Sequence, residues 1–110
     1  MKRAIIKIRN EYLHGPLWTY DPELDLPTED YEPVTSDLEI AAISQEINDL
    51  YSSFFEPDSH GETLWFNEAE RVHNKDKMLN LLRKLNQRLA EINDGSFTVS
   101  DMATPFYKSL

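Results

Sequence analysis

The sequence predicts an α+β fold in which two amphipathic helices pack on a small, mainly antiparallel sheet. Three observations carry this. Two long stretches repeat apolar residues at spacings of three and four, the period of a helix with one buried face. A β-branched run opens the chain, and Phe97 and Val99 alternate near its end, the period of a strand. The order is strand, long loop, helix, a possible short strand, helix, strand, which argues for two amphipathic helices packed on a small sheet. At 110 residues, with five Phe, five Tyr and two Trp, the chain has enough apolar bulk for one core and too little length for two.

The first strand is read over residues 3–9, "RAIIKIR", where Ala4, Ile6 and Ile8 share a face. The Gly15-Pro16 pair then interrupts the chain, and a short second strand follows near 17–20. Residues 21–35 contain Pro22, Pro27 and Pro33 and no apolar period, so they are expected to form a long surface loop. Ser36 and Glu39 have the S-x-x-E spacing of a capping box, which starts a helix running to about Phe54. Its stripe is Ile40, Ile43, Ile47, Leu50 and Phe54, with Glu39, Glu46 and Asp49 directed to solvent.

Residues 57–61 read as a turn and "ETLWF", 62–66, as a short strand. Asn67 and Glu70 repeat the capping spacing ahead of a second helix at about 68–93. Met78, Leu82, Leu85, Leu89 and Ile92 form its stripe, widened by Leu79 and Leu81. Asn93-Asp94-Gly95 ends it, with Gly95 in the left-handed conformation. Residues 96–100 make the last strand, and the pattern after Asp101 fits no single element. Trp65 and Tyr51 are expected in the core, Tyr20 and Tyr31 at the surface.

The charge is more informative than the elements. Net charge is −9, and the 61 residues from 10 to 70 hold 16 of the 20 acidic residues with no Lys or Arg. Within them, "YDPELDLPTEDYEP" (20–33) carries six acids and three prolines. Such a surface repels nucleic-acid phosphate and anionic lipid headgroups, so direct nucleic-acid or membrane binding is disfavoured. The chain has no cysteine, which removes disulfides and thiolate zinc sites and fits a reducing cytoplasm. The opening apolar run is broken by Lys7, so no secretory signal is expected.

Catalytic patterns are absent: there is no GxSxG elbow, no P-loop and no GxGxxG. Asp58, Ser59 and His60 are consecutive, which suits a turn and not triad geometry. Asp58, His60 and Glu62 alternate and would share one face of an extended segment, so a metal-assisted hydrolase using zinc or manganese is the rival reading. Asp21, Glu23 and Asp25 also alternate, but their prolines replace the glycine and terminal glutamate of a calcium loop. A regulatory or scaffold subunit, with helix stripes completing an oligomer, is a third reading. No cofactor is implied.

Segregated acids interleaved with Tyr and Trp suit a protein interface, where rings anchor and carboxylates meet Arg or Lys. The candidate docking residues are Tyr20, Asp21, Glu23, Asp25, Glu29, Asp30, Tyr31 and Glu32, extended along the first helix by Glu39, Glu46 and Asp49. In its size, acidity, lack of cysteine, lack of an exported leader and lack of catalytic motif, the chain resembles the small acidic immunity proteins of bacterial toxin systems, including contact-dependent growth inhibition. That resemblance implies a non-enzymatic cytoplasmic inhibitor that binds one cognate basic toxin domain, often a nuclease.

Overall fold

The computed structural model describes residues 4–10, 16–21, 26–28, 32–57 and 64–110. Two sheets are present among them. The larger has four strands in the order β3-β2-β1-β6: β1 Ala4–Ile8, β2 Leu17–Asp21, β3 Leu26–Thr28 and β6 Phe97–Asp101. The pairs β1–β2 and β2–β3 are antiparallel, and β1–β6 is parallel. The smaller sheet is a hairpin of β4 Phe55–Pro57 and β5 Leu64–Phe66. Five helices complete the order: α1 Glu32–Thr35, α2 Leu38–Ser52, α3 Glu68–His73, α4 Lys75–Ile92 and α5 Ala103–Lys108.

The apolar stripes of the first strand and the two long helices supply most of the core, as expected. Ile6 and Ile8 on one face of β1 are fully buried, as are Ile40 and Ile47 of α2 and Met78, Leu82, Leu85 and Leu89 of α4. The two long helices therefore face each other and the sheet with their apolar stripes, and the sheet is mainly antiparallel. Phe97 is buried with them, whereas Val99 on the same face of the edge strand β6 stays about a third exposed, at 36%.

The 21–35 stretch departs from the expected loop. Leu26–Thr28 forms β3, with Pro27 in register with Tyr20, and Glu32–Thr35 forms α1. Both prolines are tolerated for position: Pro27 sits in an edge strand, and Pro33 in the first turn of a helix, where a missing N–H costs nothing. Val34, 2% exposed, anchors α1 in the core. Elements of three and four residues are too short to show a period.

The start of α2 also differs. The cap is Asp37, whose Oδ1 accepts the Ile40 N–H at 2.9 Å, and not Ser36 with Glu39. Asp caps as well as Ser does, and here its carboxylate is held from the other side by α4. The helix closes at Ser52, two residues before Phe54, with Ser53 N–H bonded to the Asp49 carbonyl at 3.0 Å.

The short strand at 62–66 is confirmed at Leu64–Phe66, and its partner β4 is a strand the sequence did not announce. Strand alternation turns Phe66 inward among Tyr51, Phe54 and Phe55, with ring centres 5.0 to 5.9 Å from it. Trp65 then points the other way and is 48% exposed, against the expectation that it is core. Tyr51 is half-buried and packs against the core as expected.

Asn67 caps α3 through the Glu70 N–H at 3.1 Å, as the spacing predicts. The single helix expected at 68–93 is divided at Asn74 into α3 and α4. The Asn74 side-chain amide bonds the Glu70 carbonyl at 2.8 Å, a local competitor to the helix ladder. No α3 residue is buried, so packing does not enforce continuity there. Gly95 adopts φ +98°, ending the α4 connection as expected. The tail beyond β6 is α5: Asp101 Oδ1 accepts the Ala103 and Thr104 N–H groups at 3.0 and 2.9 Å and so starts it. Tyr107 is its buried anchor, 1% exposed.

Candidate partner-binding surface

α2 presents its outer face to solvent because its inner positions carry the Ile stripe. Leu38, Ala42, Gln45, Asp49 and Ser53 recur at three and four along that outer face and are all exposed. Glu46 and Glu39 flank it on the side of α4. Leu38 is 85% exposed, an apolar side chain beside carboxylates that the acid-based reading missed. The signal was available: Leu38 falls off the Ile40–Ile43–Ile47 stripe.

The three helix acids are not equivalent. Glu39 is 65% exposed but its Oε2 lies 3.2 Å from Arg88 Nε on α4. Arg88 also pairs with Asp37 at 2.7 Å and Glu91 at 3.2 Å. This cation collects three carboxylates, and hydrogen bonding from Arg88 holds the Asp37 carboxyl below its ordinary range. Glu46 and Asp49 form no ion pair among the described residues. They line a shallow depression with Leu50, Ser53, Lys77 and Leu81, and Asp49 accepts a hydrogen bond from Gln45 at 2.8 Å. The negative charge available on α2 thus centres on Glu46 and Asp49.

The strand residues fall in two groups. Tyr20 lies on the sheet face that Ile5 and Lys7 share, opposite Ile5. Its ring is half-buried beneath Lys7, with Nζ 4.0 Å from the ring centre, so it is less open than the sequence suggested. Asp21 closes β2 opposite Leu26, and Glu32 opens α1. Glu23, Asp25, Glu29, Asp30 and Tyr31 lie outside the described residues, as do Asp58, His60 and Glu62 of the rival metal reading. Among the described residues no group of three or more His, Asp or Glu side chains is placed to hold a metal ion. No helix among them is long and apolar enough to cross a membrane.

Comparison with protein-family models, curated proteins and solved structures finds no match to this chain. The functional reading rests on chemistry alone.

Proposed function

We propose that the chain is a non-enzymatic bacterial immunity protein. It acts in the cytoplasm by binding a cationic toxin domain, a nuclease foremost, through its acidic surface. One observation carries the reading: α2 offers Glu46 and Asp49 exposed, without an ion-pair partner among the described residues, and presents the exposed apolar Leu38 at its N-terminal end. Unpaired carboxylates on the same exposed helix as an apolar side chain suit a surface rich in Lys and Arg, such as a nuclease cleft built for phosphate. The stretch just ahead of α2 in the sequence is acid-rich as well. A field of one sign acts over about 8 Å at physiological salt and speeds capture, which matters when the partner must be blocked before it cuts.

The test uses a cationic toxin domain encoded beside this chain. Co-expression should rescue growth, and association should slow as salt rises. Reversing charge with Glu46→Lys and Asp49→Lys should weaken binding and flatten that salt dependence. Unchanged affinity and salt dependence in the double variant would overturn the assignment.

A further inference from the structure

A second site of opposite charge lies where the C-terminal end of β1 meets α5. Arg9 and Asn10 leave β1, Tyr51 lies in the last turn of α2, Arg71 comes from α3, and Met102, Phe106 and Tyr107 come from the α5 region; together they line a cleft of about 280 Å³. None of these residues belongs to the acidic docking set. On a chain of net charge −9, a cleft lined by two arginines needs an explanation.

Both guanidinium groups are held in place. Arg71 lies between two rings, its Cζ 4.6 Å from the centres of both Phe66 and Phe106, and its Nη2 bonds the Glu68 carboxylate. Arg9 stacks on Trp18 at 4.3 Å. The Nε atoms of both are buried and find no hydrogen-bond acceptor among the described residues. Glu68 offsets one of the two charges, and Arg9 has no carboxylate partner among the described residues. Beside the cations, Asn10 Nδ2 donates to the Tyr107 hydroxyl at 3.2 Å, and Met102, Phe106 and Tyr51 provide apolar wall.

From this cleft we infer that the protein binds a small organic oxyanion, a carboxylate or phosphoryl group carried on an apolar body, between Arg9 and Arg71. The guanidinium fork matches the two oxygens of such a group, and the flanking rings take its body. The volume falls just below the ~300–1,000 Å³ of sites for drug-sized ligands, so the body is a single ring or a short chain. The site is independent of the docking surface, and it is tested on the chain alone, without toxin.

The experiment titrates the protein with benzoate, phenyl phosphate and neutral benzamide, followed by amide chemical shifts. Saturable binding of benzoate or phenyl phosphate is expected, with shifts confined to residues around Arg9, Arg71 and Phe106. The better of the two identifies the headgroup. Benzamide should bind at least about ten-fold more weakly, as should benzoate to a folded Arg9→Gln protein. No saturable binding of either anion up to about 10 mM would overturn the inference. So would equal binding of benzamide, shifts centred elsewhere, or an Arg9→Gln protein with wild-type affinity. If Arg9→Gln does not fold, the location of the wild-type shifts decides.

Discussion

Arg88 of α4 grips the residue that caps α2: its Nη2 lies 2.7 Å from Asp37 Oδ2 and its Nε 3.2 Å from Asp37 Oδ1. The same Oδ1 accepts the Ile40 N–H at 2.9 Å. One carboxylate thus satisfies the start of a helix and ties that start to the neighbouring helix 51 positions away in sequence. The two roles separate by mutation. Asp37→Ala removes the cap and leaves Arg88 to Glu39 and Glu91, whereas Arg88→Ala leaves the cap intact. Asp37→Ala should therefore lower the urea midpoint more than Arg88→Ala does. The reverse order would mean that the contacts of Arg88 to Glu39 and Glu91, lost only in Arg88→Ala, outweigh the cap.

The same pair sets an acid sensitivity. Hydrogen bonding from Arg88, then from the Ile40 amide, lowers the Asp37 pKa from its ordinary 3.8. A carboxyl with a lowered folded pKa contributes stability that is present above 3.8 and lost as pH falls through the folded value. Asp94 behaves alike, held down by the Ser96 side chain and amide. The urea midpoint of the parent should fall as pH drops from about 5 toward 2, and Asp37→Asn should show a shallower fall.

At the alkaline end the sign is opposite. Burial pushes the Tyr107 hydroxyl up from 10.0 to about 12. The neutral form is favoured in the fold, so its contribution is complete below pH 10.0 and is lost as pH rises toward 12. Tyrosinate absorption should show a late step, and Tyr107→Phe should remove it. A Tyr107→Phe protein that keeps the late step would assign it to another ring.

Legibility in the sequence followed element length. The stripes of α2 and α4 show four or more turns of period, and Ile40, Ile47, Leu82, Leu85 and Leu89 are buried where that period places them. β3 and α1 span three and four residues and contain proline, so local pattern read them as loop. β4 was hidden for a different reason: a strand of Phe55–Pro57 exists by pairing with β5, a relation that no local window contains. The docking surface divides likewise. Exposure of Glu39, Glu46 and Asp49 follows from helical phase alone, but the capture of Glu39 by Arg88 depends on how α2 and α4 pack. Arg9 and Arg71 stand 62 positions apart and read only as scattered bases until the fold brings them to one cleft.

The core offers a stability scale. Leu85 is fully buried in the seam of α4 against α2 and the sheet. Leu85→Ala should cost about 2–5 kcal/mol in urea unfolding, from lost transfer energy plus the cavity left behind. A cost near that of a surface change would mean that the helix stripe does not face the core.

Adjacent residues on β5 give a sharper test, because the fold sends them to opposite sides. Phe66 meets Phe55 at 5.0 Å and Phe54 at 5.9 Å between ring centres, and its face supports the Arg71 guanidinium at 4.6 Å. Trp65, the larger and more hydrophobic ring by composition alone, is 48% exposed. If size decided, Trp65 would matter more; if strand phase decides, Phe66 does. Phe66→Ala should cost toward the lower end of the ~3–5 kcal/mol of a buried Phe, since its ring is only half enclosed. Trp65→Ala should stay near the ~0.5 kcal/mol of a surface change, with the remaining Trp18 reporting unfolding by fluorescence. Phe66→Ala should also weaken benzoate binding, since it removes one of the two rings between which Arg71 is fixed. A larger cost for Trp65→Ala would mean that β5 is registered one residue out, which would turn every side chain of that strand to the other face.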